Sequence, residues 1–274
     1  MEDQSVKVDM AAIRAVFCHD FDGTYVIGNT QRAILEYLGF GHLRSEELLD
    51  NLPLIMSAYK EKREECWEVV KKMTVIGEPG DWKKANEKIA RDGHAQAIVS
   101  FNIFGEDLFP RFLEEMVGLD KAFIQEHIKI ISFWPEEGEK ADKSEHLDRA
   151  KIYAKEKLGL THLPNSLVVF TDDNWKNYLR ACNAQYKALR ATNDGKHIPL
   201  IMEYSESIKH PAEKVNDENS SSDGSKSLAN SMEGLWKSHS PSPTPERRTG
   251  LTCSRESIDN EELGLKRSAS PQVN

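Results

Sequence analysis

An α/β fold with a mostly parallel sheet of about five strands and helices on both faces is predicted for residues 11–203 by three observations. Short apolar, β-branched runs recur at 13–19, 96–101, 128–133, 166–171 and 185–191. Segments with apolar residues at helical spacing separate them. Two of the runs break directly into turns carrying carboxylates, at the edge where an open parallel sheet presents residues to a ligand rather than to the core.

In chain order, Val16-Phe17-Cys18-His19 closes the first strand and Asp20-Phe21-Asp22-Gly23-Thr24 makes the turn. From Thr30 to Ile76 there is no strand signal. Ile34, Leu35 and Leu38, then Ile55, Tyr59, Cys66, Val70 and Met73, recur at helical spacing there, which predicts a helical insertion over about 30–76. Its modest length fits either a small lid over a cleft or an extension of the core. Trp82, Ala85 and Ile89 mark the core face of a helix ending at Gly93, and Leu108, Phe112, Met116 and Val117 mark another beyond the second strand. After the third strand, Leu147, Lys151, Ala154 and Leu158 continue a helix that opens at Lys143 and is closed by Gly159. The fourth strand, Leu167-Val168-Val169-Phe170-Thr171, ends on Asp172-Asp173.

From about Ser205 the composition shifts to Ser, Asn, Glu, Lys and Pro, including Ser220-Ser221-Ser222 and Ser240-Pro241-Ser242-Pro243-Thr244-Pro245. A folded domain over 1–204 and a disordered tail over 205–274 are therefore expected, in keeping with a hydrophobic content of 39% for the whole chain. Cys18, Cys66, Cys182 and Cys253 show no paired spacing, which argues against a disulfide framework or a zinc site. No apolar run reaches the ~18 residues of a membrane span. The start Met1-Glu2-Asp3-Gln4 lacks the basic and apolar regions of a signal peptide, so a reducing, cytoplasmic location is expected. A net charge of −9 argues against nonspecific nucleic-acid binding.

Four motifs carry the chemistry. Asp20-Phe21-Asp22-Gly23-Thr24 after an apolar strand resembles the first motif of the haloacid dehalogenase (HAD) superfamily, mostly magnesium-dependent phosphohydrolases with a Rossmann-like sheet. Ala97-Ile98-Val99-Ser100 is similar to the second, a strand ending on a hydroxyl, Lys143 at a helix start to the third, and Asp172-Asp173 after an apolar run to the acidic fourth. Lys140 competes with Lys143 for the third position, although the helical spacing favours Lys143. The order of the four motifs is the superfamily's, and each stands at its structural position.

The resemblance implies a division of labour that suits the chemistry. A phosphate monoester resists water, so its hydrolysis needs a positioned nucleophile, charge neutralisation and a proton for the leaving group. Asp20 would attack phosphorus to form an aspartyl-phosphate, and Asp22 would protonate the leaving oxygen and then deprotonate the incoming water. Ser100 and Lys143 would hold the phosphoryl group. Mg²⁺ is the implied cofactor, taken by the Asp20 carboxylate, the Asp22 main-chain carbonyl and Asp173, with Asp172 behind them orienting Lys143 or exchanging roles with its neighbour. Strand alternation points His19 away from Asp20, which predicts a packed histidine, and Cys18 is expected to be a small buried side chain.

For substrate, a phosphoprotein, in particular phosphotyrosine, stands first, with a small metabolite phosphate as the alternative and a non-catalytic phosphate-binding adaptor as a third reading. The Ser-Pro and Thr-Pro pairs of the tail look like kinase sites. Its acidic stretch Glu256–Leu263 resembles the Glu-rich export signals of type IV secretion effectors, and a compact HAD domain with an acidic tail is similar to secreted HAD-type phosphotyrosine phosphatases. That resemblance implies export into a host cytoplasm, with host kinases or adaptors as partners of the tail.

Overall fold

The computed structural model of the protein describes residues 13–134 and 142–209. Five strands, β1 (Val16–His19), β2 (Ala95–Ser100), β3 (Ile128–Ser132), β4 (Val168–Asp172) and β5 (Lys187–Arg190), form one sheet in the order β3-β2-β1-β4-β5. Every neighbouring pair is parallel. All residues of β1, β2 and β4 are buried, which is why these strands read as continuous apolar runs rather than as alternation. The first strand begins at Val16 rather than at residue 13, because its partners begin only at Ala95 and Val168.

Helices cover both faces, as expected from the alternating pattern. On one face, Phe17, Ile98 and Val169 pack with α5 (Asp81–Arg91), α6 (Gly105–Phe112), α7 (Lys121–His127) and α10 (His197–Lys209). On the other, Val16, Cys18, Ala97, Val99, Val168 and Phe170 pack with α8 (Ser144–Leu158) and α9 (Trp175–Asn183). The helix expected to run through Val117 divides: α6 gives way to a π-helical turn at Leu113–Val117, ended by Gly118 at φ 81°. Helix α10 runs to Lys209, past the boundary read at residue 204, because Ser205 and Ile208 are buried on it and the Ser205 hydroxyl donates to Asp92 at 2.6 Å. Lys140 and the tail from residue 210, with its Ser-Pro pairs and acidic stretch, lie outside the described residues.

The segment 30–76 is helical, with α1 (Thr30–Tyr37), α2 (Glu47–Asp50), α3 (Leu52–Glu61) and α4 (Arg63–Val70). Its two ends are tied together: Ile27 N–H donates to Thr74 O at 2.8 Å and Ile76 N–H to Tyr25 O at 2.9 Å. Its apolar faces, including Ile34, Ile55, Cys66 and Trp67, join the same cluster as Phe21, Phe104, Phe109 and Phe112. Polar contacts fasten it to α6. Asp107 accepts from Tyr59 Oη (2.9 Å) and Arg63 Nε (2.7 Å), and Arg111 donates to both Glu64 oxygens (2.9 and 2.8 Å). The insertion therefore shares the core with the sheet domain while its first helix starts at the C-terminal edge of the sheet.

Candidate active site

The C-terminal ends of β1, β2 and β4 meet at the centre of the sheet, and each releases one of the sequence-predicted groups there. Asp20 N–H still donates to Thr171 O at 2.8 Å, one residue beyond β1, and this last ladder bond fixes the backbone from which the Asp20 carboxylate leaves the sheet. Phe21 turns the other way into the core, its ring stacked 3.8 Å from that of Phe109. This anchor brings Asp22 back to the side of Asp20, and both carboxylates line one cleft with Asn29, Gln31, Ser100, Phe101, Asn102, Trp134 and Lys143. The cleft is open to solvent, and the space between its walls, the open mouth included, is about 350 Å³.

Lys143 stands just before α8 and reaches the far end of the cleft, 4% exposed. Its ammonium donates to Asp20 Oδ1 and to Val99 O, both at 2.7 Å, and sits 4.7 Å from the centroid of the Phe101 ring. The helix closes at Gly159, which takes the left-handed φ of 66°. Ser100 ends β2 and is 3% exposed.

Two acidic neighbours complete the group. Asp172 is fully buried, and its carboxylate accepts from Asn174 N–H (2.7 Å) and Asn177 Nδ2 (3.0 Å). The Lys143 ammonium donates to Asp20 and Val99, and it acts on Asp172 through its charge, which favours the ionised carboxylate there. Asp173 is exposed and packs against Gly23, where an added Cβ would lie 2.3 Å from its carboxylate carbon; Gly23 also has φ 75°, so only glycine permits this approach. Ligand atoms of Asp20, Asp172 and Asp173 all lie within 4.8 Å of one another. Three hard oxygen donors at this spacing, with no imidazole or thiolate among them, fit Mg²⁺.

The crowding is visible in the electrostatics. Burial, with the Asp20 charge adding to it, pushes the Asp172 carboxyl up to about 8; Asp173 is exposed as a residue, but the desolvation of its carboxyl on the side packed into the cluster, with the Asp20 charge, raises it as well. Burial also pushes Asp22 up to about 6, against the opposing effect of two hydrogen bonds to its Oδ1, from Thr30 N–H (2.8 Å) and Thr30 Oγ1 (2.7 Å). Thr30 begins α1, where Asn29 caps the helix by accepting from Arg32 N–H. Its hydroxyl in turn accepts from Asn102 Nδ2 at 2.8 Å, and Gln31 Oε1 accepts from Ile103 N–H at 2.7 Å. Thr30, Gln31, Asn102 and Trp134 were not singled out in the sequence. An Asn-Thr pair ahead of an apolar helical repeat is a start signal that could have flagged Thr30, whereas nothing local marks the contact with Asn102.

His19 and Cys18 behave as packing groups. His19 is 1% exposed, lies edge-on to Tyr25 and Trp82, and burial lowers its pKa to about 3. Burial raises the Cys18 thiol far above its ordinary value, which denies it a thiolate role at neutral pH.

No protein-family model matches the chain, and no curated protein matches it significantly. Among solved structures, it is similar to a mutant CbbY from Rhodobacter sphaeroides in complex with xylulose-(1,5)bisphosphate, at 13% identity and TM-score 0.43, over 67% of this chain and 89% of that one. A phospho-aspartyl intermediate analogue of phosphoserine phosphatase is similar at 15% identity and TM-score 0.42, over 70% and 98%. A HAD family enzyme from Bacteroides thetaiotaomicron, in complex with magnesium and inorganic phosphate, is similar at 12% identity and TM-score 0.40, over 68% and 98%. Likeness of this depth carries no activity over to the present chain.

Proposed function

We propose that the protein is a Mg²⁺-dependent phosphomonoester hydrolase of the HAD type that works through an aspartyl-phosphate on Asp20. The observation that carries this reading is the Lys143 ammonium bonded to Asp20 Oδ1 in a cleft that also holds Asp22 and Ser100, beside the acidic pair Asp172 and Asp173. With one oxygen turned to Lys143, Asp20 keeps a second carboxylate oxygen to attack phosphorus in line with the leaving oxygen. Lys143 neutralises charge between nucleophile and phosphoryl group, and Ser100 is at hand to donate to a phosphoryl oxygen. Asp22, raised to about 6, holds a proton for the leaving oxygen over part of the near-neutral range, and its carboxylate then takes one from water in the second step. Asp20, Asp173, the Asp22 carbonyl and, by spacing, Asp172 would hold Mg²⁺, which supplies screening of the repulsion between the carboxylate and the phosphoryl oxygens.

For the leaving group, the favoured reading is the phosphorylated side chain of a protein, with phosphotyrosine ahead of the others. The half-buried rings of Phe101 and Trp134, 5.8 Å apart, form an aromatic wall of the cleft beside Lys143. The test is Mg²⁺-dependent phosphate release from phosphotyrosine, phosphoserine and phosphothreonine peptides beside sugar and nucleotide phosphates, with Asp20→Asn as the blank. Release lost in Asp20→Asn supports the nucleophile, and preference for a metabolite transfers the assignment to small-molecule chemistry. No release from any substrate refutes catalysis and leaves a phosphate-binding adaptor.

A further inference from the structure

Beside the cleft, α9 presents a face that the catalytic reading does not use. Trp175 and Leu179, four residues apart and so on one side of the helix, are 50% and 41% exposed. Tyr178 stacks on Trp175 at 5.1 Å, and the Arg190 guanidinium lies 5.2 Å over the Trp175 ring from the neighbouring strand β5. Lys176 and Arg180 form the adjoining stripe, both exposed. Helix α9 has no carboxylate of its own, and among the described residues the one ion pair of these three cations is Arg180 with Asp142 at 3.7 Å. In a chain of net charge −9 this is a local basic and aromatic surface, and it begins two residues after Asp173, at the rim of the site.

From this geometry we infer that the α9 face is a docking surface for a polypeptide substrate whose phosphorylated residue is flanked by acidic and apolar side chains. Charge complementarity selects the occupant: carboxylates of a flanking segment would meet Lys176, Arg180 and Arg190, while an apolar or aromatic side chain lies against Trp175 and Leu179. The strip between Trp175 and Leu179 spans one helical turn, about 6 Å at 1.5 Å per residue, which matches two or three extended residues and is narrow for a flat membrane surface. Continuity with Asp173 gives the bound segment a direction, since its phosphate must enter the cleft while its neighbours cross α9. This inference rests on the phosphohydrolase reading, which it narrows to macromolecular substrates.

The experiment uses two phosphotyrosine peptides of equal length, one flanked by Asp, Glu and Leu and the other by Lys and Ser, with 4-nitrophenyl phosphate as a third substrate. The full-length protein is compared with Lys176→Glu/Arg190→Glu and with Trp175→Ala/Leu179→Ala. The expected result is a kcat/KM about tenfold higher for the acidic peptide, lost in Trp175→Ala/Leu179→Ala and reversed in the charge variant. A ratio of the two peptides that is the same in all three proteins overturns the inference. A parallel binding measurement, anisotropy of each of the two labelled peptides on the Asp20→Asn protein, reads docking without turnover. Binding there with no hydrolysis by the unmutated protein refutes the catalytic reading and keeps the surface, whereas equal affinity for both peptides removes the surface. Sedimentation with phosphatidylserine vesicles that depends on Lys176 and Arg190, without peptide discrimination, reassigns the face to a membrane and also overturns the inference.

Discussion

Replacing Thr30 by Val tests how the acid/base group is held. The substitution keeps the backbone N–H that donates to Asp22 Oδ1 at 2.8 Å but removes the hydroxyl that donates at 2.7 Å, with little change of shape. A hydrogen bond to a charged acceptor is worth about 1.5–3 kcal/mol, and one pKa unit corresponds to about 1.4 kcal/mol, so losing it raises the Asp22 pKa by about 1–2 units. The direction is fixed, because the hydroxyl stabilises the ionised form. On the proposed mechanism Asp22 is the acid of the first step and must be protonated, so it would govern the alkaline limb of kcat/KM against pH, and that limb should move upward by about 1–2 units in the variant. Bound Mg²⁺ displaces both profiles in the same sense, and the difference between the proteins at saturating Mg²⁺ is the quantity read. A second cost falls on Asn102, 2% exposed, whose amide loses its acceptor at 2.8 Å. An unsatisfied buried donor costs about 1–3 kcal/mol, which lowers Tm by several degrees. An alkaline limb that stays in place while Tm falls would show that Thr30 supports the fold only, and the assignment of Asp22 as the acid would fail.

Three further perturbations probe the rest of the structure. Lys143→Met leaves the Asp20 carboxylate facing Asp172 and Asp173 without its 2.7 Å partner, a loss of about 3–5 kcal/mol for a buried pair broken on one side. Chemical denaturation without Mg²⁺ should show that loss, added Mg²⁺ should restore part of it, and kcat/KM should fall about 10²-fold or more even with Mg²⁺. Because the Asp172 carboxyl is pushed up to about 8 and that of Asp173 is also raised, Mg²⁺ must displace protons near neutrality. Affinity therefore weakens as pH falls from 8 to 6, by about tenfold per unit for each proton displaced, and the calorimetric heat depends on the buffer's ionisation enthalpy; a buffer-independent heat refutes this. Asp107→Ala removes the acceptor shared by Tyr59 and Arg63, and since both charged partners are half-exposed the expected loss is only about 1 kcal/mol, a Tm shift of about 2–4 °C.

What could be read from the sequence had a local cause. The strand carrying Asp20 was legible because both faces of β1 are buried, so its apolar run has a sharp end at the turn. Lys143 was legible because a regular helix with a glycine stop, realised as Ser144–Leu158 and Gly159, fixes its first residue by counting backward. Contacts between residues far apart in sequence left no local trace. The bond from Asn102 to Thr30 exists only because β1 and β2 lie side by side, and the charged residues Arg63 and Asp107 read as solvated faces until α4 is packed on α6. Ser205 misled for the same reason. Ser205-Glu206-Ser207 reads as the start of a polar tail, yet the Ser205 hydroxyl is buried on α10 against Asp92 at 2.6 Å.

The acidic group is best understood as a feature that folding alone would not favour. Asp20, Asp22, Asp172 and Asp173 converge while Lys143 is the one cation lining the cleft among the described residues, and three of the four carboxyls are raised by burial. Each raised carboxyl marks a folded state in which ionisation costs more than in the unfolded chain, so as pH rises through these values stability is lost unless a cation enters. Such groups cluster where charge is held ready for a ligand. Gly23 makes the same point sterically, since a Cβ there would collide with the Asp173 carboxylate in its present place. On the proposed Mg²⁺ site, binding and folding are linked: a Mg²⁺ concentration 100 times the Kd at pH 8 should stabilise the protein by about 2.7 kcal/mol there, and the same concentration should give a smaller gain at pH 6. A gain that is independent of pH would mean that the ion binds elsewhere than at these raised carboxyls.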